Sequence, residues 1–124
     1  MRKRLIIASL ILSILFIGKG WCFENVIVLD RTPYAYERLT VTNAVVQQLN
    51  AVYRASSGAI FITVETNNIR YRVDGGNPSA INGHLVVAAT YQNLWLTDSK
   101  SIRDFRMIGI GGNAIVSVTY YRRN

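Results

Sequence analysis

From Arg38 onward, polar and apolar residues alternate in short runs, and this period of two narrows the fold more than any other feature of the chain. Arg38-Leu39-Thr40-Val41-Thr42 alternates in this way. Ala59-Ile60-Phe61-Ile62-Thr63-Val64-Glu65 puts Ile60, Ile62 and Val64 on one face of a strand and Ala59, Phe61 and Thr63 on the other. Ile69-Arg70-Tyr71-Arg72-Val73 sends both arginines one way and the three apolar residues the other, as a half-buried strand does. Leu85 to Ala89 and Asn93 to Thr97 read as two further short strands, and Asp98-Ser99-Lys100-Ser101 as a polar break. Ile102 to Ile110 and Ala114 to Tyr121 flank Gly111-Gly112-Asn113, a loop suited to a tight hairpin.

Ala114, Val116, Val118 and Tyr120 form the expected core face of the last strand. In its partner, Phe105 and Met107 oppose Ile108 and Ile110 in parity, which requires a bulge near Met107 or burial on both faces. Val41 to Tyr53 is ambiguous. Val45, Val46, Leu49 and Val52 fit a helical stripe, while the lack of clustered helix formers favours strand. Asp74-Gly75-Gly76-Asn77-Pro78-Ser79 must turn or loop.

Seven or eight such strands, spaced by roughly 8 to 12 residues, predict an all-β chain. The expectation is a single antiparallel β-sandwich or jelly-roll-like domain over residues 23–124, after an N-terminal hydrophobic leader helix. Residues 1–22 carry the leader, with Met1-Arg2-Lys3-Arg4 as a basic start and Leu5 to Ile17 as an apolar run. That run meets Gly18 and Lys19 before reaching the roughly 20 apolar residues a transmembrane helix needs. It reads as a signal peptide, with an N-terminal membrane anchor as the alternative. The chain is therefore expected to be periplasmic or secreted, or held at the inner membrane through residues 1–22 if uncleaved. Cys22 is the only cysteine, so no internal disulfide is expected.

Removing the first 22 of 124 residues leaves 102, one small domain. Four of the 14 basic residues, Arg2, Lys3, Arg4 and Lys19, lie in the leader, leaving ten against seven acids. A remainder of +3 is modest and disfavours nucleic acid as a partner.

Catalytic signals are sparse. His84 is the single histidine and has no cysteine or carboxylate cluster beside it in sequence, which argues against a zinc site. Ser79, His84 and Asp74 make a triad only on paper, because no nucleophile-elbow sequence surrounds any serine. Glu65, Asp74, Asp98 and Asp104 read as turn or surface acids. The glycine-rich stretches lack phosphate-loop patterns. The sequence thus predicts neither an enzyme, nor a metal site, nor a cofactor.

Beyond residue 22, nine arginines stand against one lysine, Lys100. Guanidinium groups suit desolvated interfaces and aromatic stacking better than ammonium groups do. Arg70, Arg72, Tyr91, Trp95, Arg103, Arg106, Tyr121 and Arg122 are the candidate interaction surface, facing protein partners or further copies of the chain, or a glycan. The plain alternative is a set of solvated outer strand positions filled by arginine. On mutation, Phe105→Ala or Val118→Ala is expected to cost about 2 to 5 kcal/mol, and Arg70→Ala almost nothing.

Ile62-Thr63-Val64-Glu65-Thr66, Ile69-Arg70-Tyr71-Arg72-Val73-Asp74-Gly75, Pro78-Ser79 and Gly83-His84-Leu85 together resemble a small protein often encoded among tailed-bacteriophage structural genes. Ile102-Arg103-Asp104-Phe105-Arg106-Met107-Ile108 and Ser117-Val118-Thr119-Tyr120-Tyr121-Arg122 are similar to the closing strands of that group. The resemblance implies a β-sandwich virion component, a head decoration or tail-associated subunit, that works by contact rather than chemistry. The leader departs from that pattern, since virion proteins assembled in the cytoplasm do not normally carry one. A carbohydrate-binding module is the alternative, and it predicts coplanar exposed aromatics on one sheet. An exported hydrolase would require a pocket holding acids or His84.

Overall fold

The computed structural model describes residues 31–90 and 92–123. The leader, residues 23–30, Tyr91 and Asn124 lie outside the described residues. In chain order the elements are β1 (Pro33–Val41), β2 (Gln47–Gln48), α1 (Ala51–Ser56), β3 (Ser57–Arg72), β4 (His84–Val86), β5 (Leu94–Leu96), α2 (Ser99–Asp104) and β6 (Arg106–Arg122). Every strand pair is antiparallel. They form one six-stranded sheet in the order β1-β6-β3-β4, with β2 added to β6 and β5 to β3. The chain is mostly β, as its alternation predicts, and of the six strands among the described residues two are far longer than the short ones expected.

Those two, β3 with 16 residues and β6 with 17, pair along their length and form the spine. The expected hairpin at Gly111-Gly112-Asn113 is instead an insertion within the continuing strand β6. Thr66 pairs with Ile115 and Asn68 with Ile110, so residues 111–114 of β6 stand opposite Asn67 alone. Backbone conformation makes this possible. Gly111 and Gly112 take φ 74° and 156°, which a side chain would resist, and Asn67 takes φ 54°. The Asn67 side-chain amide donates to the Asn113 carbonyl at 2.7 Å and holds the two irregular segments together.

The insertion resets which residues face inward. Before it, Phe105 and Met107 are fully buried; after it, Ala114, Val116, Val118 and Tyr120 are. The parity conflict between Phe105 and Met107 on one side and Ile108 on the other is met by burial on both faces, since all three are buried and the register runs without a bulge from Arg106 to Ile110. On β3 the same reset separates Ile60, Ile62 and Val64 from Ile69. Ala59, assigned by alternation to the other face, is also fully buried.

The insertion divides the spine into two halves. Residues 57–66 and 115–122 are flanked by β5 and β1, whereas residues 68–72 and 106–110 are flanked by β4 and β2. Both halves, with Leu49, Leu96 and Ile102, contribute to a single core cluster. Each fully buried large side chain there contributes about 1.5–3 kcal/mol.

The strand expected over Val41 to Tyr53 shrinks to Gln47–Gln48, and a helix follows it. Asn50 decides this. Its side-chain carbonyl accepts from the Val52 and Tyr53 amides at 2.9 and 3.3 Å, an N-cap that starts α1. The supposed helical stripe is not a core face either, since Val45 and Val52 are exposed. Asp98 similarly caps α2 by accepting from the Ser101 amide at 2.8 Å. The stretch expected to begin a strand at Ile102 is thus helical to Asp104, and Lys100 pairs with Asp104 one turn on at 2.8 Å.

Candidate interaction surfaces

The outer faces of the two half-sheets differ. On the half flanked by β2 and β4, Arg70 and Arg72 of β3 stand beside Ile108 and Arg106 of β6. The loop after β3 folds over this face. Arg70 donates to the Ala80 carbonyl at 3.0 Å and to the Gly83 carbonyl at 2.8 Å. Arg106 donates to Asn77 Oδ1 at 2.6 Å, and Arg72 makes a two-pronged bridge to Asp74 at 3.0 and 2.5 Å. Pro78 is buried beneath. Three of the arginines assigned to a partner surface are thus engaged by the chain's own loop.

A cleft of about 460 Å³ opens beside this loop, lined by Arg72, Val73, Asp74, Asn82, Gly83 and His84. Asp74 and His84 both line it. The Arg72 guanidinium and the Gly76 amide hold the Asp74 carboxyl well below the usual carboxylate range. Asp74 is therefore a charge-paired turn residue with no proton to exchange near neutrality. His84 stacks at 5.3 Å on Tyr71, its partner in register across β3 and β4. Among the described residues, no group of three His, Cys, Asp or Glu side chains is arranged to hold a metal ion.

The half flanked by β1 and β5 has no such cover among the described residues. Its register lays Tyr36, Thr119, Phe61 and Trp95 in one row across four strands. Trp95 packs 4.7 Å from Phe61 and 5.4 Å from Tyr121, yet remains 42% exposed, and Tyr36 is 58% exposed. A polar margin adjoins the aromatic group. Arg38 Nη2 meets Glu65 Oε2 at 2.8 Å, Ser117 donates to Glu65 Oε1 at 2.5 Å, and the Tyr36 and Ser117 hydroxyls are 3.0 Å apart. The Arg38 guanidinium and the Ser117 hydroxyl lower the Glu65 carboxyl, so it stays ionised in this margin.

Arg103 and Arg122 lie elsewhere. Arg103 is on α2, where it shares Asp104 with Lys100. The Arg122 guanidinium sits over the Tyr34 ring, 5.3 Å from its centroid. The seven described candidates therefore fall into three groups: Arg70, Arg72 and Arg106 under the loop, Trp95 and Tyr121 on the bare face, and Arg103 and Arg122 toward the helices. Sequence reading missed Phe61 and Tyr36 as members of the bare face. Phe61 was legible as outward-facing by parity, whereas its pairing with Trp95 depends on a strand contact that periodicity does not specify.

Compared with family models, curated proteins and solved structures, the chain matches none.

Proposed function

We propose that the chain is a non-enzymatic interaction domain, exported or membrane-tethered, that works through protein contacts in an assembly, copies of itself included. The aromatic face, uncovered among the described residues, carries this reading. Phe61, Trp95 and Tyr121 cluster beside the Arg38–Glu65 margin, while on the other half-sheet the loop after β3 engages Arg70, Arg72 and Arg106. Aromatic anchors within a polar rim are what protein interfaces concentrate. A contact role is also what the resemblance to phage head and tail proteins implies, as a decoration or tail-associated subunit. The shared core of the two half-sheets supports reading the sheet as a β-sandwich or jelly-roll.

The second reading, a secreted carbohydrate-binding module, draws on the exposure of Tyr36 and Trp95 on one face. Trp95 is inclined by 40° to Phe61 and by 41° to Tyr121, which offers a sugar ring no flat platform and favours protein contact. A photoreactive phenylalanine analogue placed at Trp95, and separately at exposed Ile81, separates the two readings in expressing cells. Protein adducts at position 95 that include a species of twice the chain mass, and are missing at position 81, are expected. Equal labelling at both positions, or Trp95-dependent binding to an oligosaccharide panel without protein adducts, would overturn the proposal.

A further inference from the structure

The two short helices enclose a cleft of about 620 Å³ lined by Ala51, Arg54, Ala55, Asp98, Ser99, Lys100, Arg103 and Arg123. We infer that this cleft is a binding site for an acidic peptide segment of a partner protein, read by Arg54, Lys100, Arg103 and Arg123. Four cations line it against one carboxylate, Asp98, and that carboxylate is already occupied in capping α2. Asp104, just outside, is shared by Lys100 and Arg103, at 2.8 and 3.1 Å. Arg54 donates only to neutral acceptors among the described residues, Gln48 Oε1 at 2.7 Å and the Arg103 carbonyl at 3.4 Å. Arg123 donates to the Ser99 hydroxyl. Like charges gathered in one cleft repel one another, and an incoming anion relieves that repulsion.

The lining also selects among anions. Guanidinium forks match carboxylates as well as phosphates or sulfates. However, the wall from α1 is Ala51 and Ala55, one helical turn apart, and among the described residues no aromatic side chain lines the cleft. Nucleobases need a stacking platform that is missing here. A peptide backbone instead fits against two alanines, with its carboxylates reaching the flanking cations. The site shares no residue with the aromatic cluster of the sheet face and does not depend on that reading.

The experiment is fluorescence anisotropy of a labelled hexaglutamate peptide with the protein as recovered from expressing cells, at several salt concentrations. Saturable binding that weakens with salt is expected, falling about fivefold or more with Arg54→Gln and with Arg103→Gln. Arg38→Gln, the same charge change at a residue outside the cleft lining, and Trp95→Ser should leave it unchanged. Circular dichroism checks each variant, and Lys100→Gln replaces any that fails to fold. Absence of binding, or binding indifferent to the cleft variants, would overturn the assignment. So would tighter binding of heparin or oligothymidylate than of hexaglutamate, lost in the same variants, which would make the cleft a site for another polyanion. Because Trp95→Ser is carried in parallel, failure here is separable from failure of the sheet-face reading.

Discussion

The Tyr120 hydroxyl lies in the core, where it donates to Glu37 Oε1, and the same oxygen accepts from the Asn50 amide at 3.2 Å. The pair thereby ties β6 to β1 and to the cap of α1. Tyr120→Phe leaves that carboxylate one donor short and is expected to cost about 1.5–3 kcal/mol in urea unfolding. Burial and the adjacent Glu37 carboxylate push the Tyr120 phenol well above its ordinary 10.0. The unfolded phenol ionises first, so stability is intact below about pH 10 and declines as pH rises beyond it. Tyr120→Phe should flatten that alkaline decline. At the acid end the signs reverse. Glu65, Asp74, Asp98 and Asp104 are all depressed by hydrogen bonds and neighbouring cations, so their contribution holds at neutral pH and fades as pH falls below about 4. Arg70 shows where residue-level reading stops. Alternation placed it outward and made its removal harmless, but its two bonds to loop carbonyls raise the expected cost of Arg70→Ala to about 1–2 kcal/mol.

At the scale of elements, the insertion in the spine lies beside a close backbone approach at Gly109. A Cβ on Gly109 would lie 2.6 Å from both the Gly112 and Val41 carbonyl oxygens, and the Gly109 amide already donates to Thr42 at 2.9 Å. Gly109→Ala is therefore expected to cost about 1–3 kcal/mol or more, since backbone rather than a flexible side chain must yield. A Cβ on Gly111 meets nothing within 4 Å, so Gly111→Ala should cost only its φ of 74°, about 1 kcal/mol. Thermal unfolding of the two variants separates crowding from conformation. The strands were legible because alternation is local. Whether Gly-Gly-Asn makes a hairpin or an insertion was not, because Asn67, 46 residues before Asn113 in the chain, decides it. The short helices were equally hidden, since each is set by one capping side chain rather than by an apolar stripe.

For the whole molecule, one core joins the two half-sheets, so its loss should unfold both together. Phe105→Ala is expected to destabilise by about 3–5 kcal/mol in a single cooperative transition. The inward set Ala114, Val116, Val118 and Tyr120 was readable from sequence. The division of the outward set was not, because covering one half-sheet and leaving the other bare depends on where the loop after Arg72 folds. That division underlies the contact role proposed for the aromatic face. Sedimentation velocity across a concentration series, comparing the protein as recovered from expressing cells with its Trp95→Ser variant, tests it most directly. Mass that grows with concentration in the parent chain and falls back in the variant, with both equally folded, is the expected result. A parent chain that stays monomeric throughout, or association that Trp95→Ser leaves untouched, would contradict it.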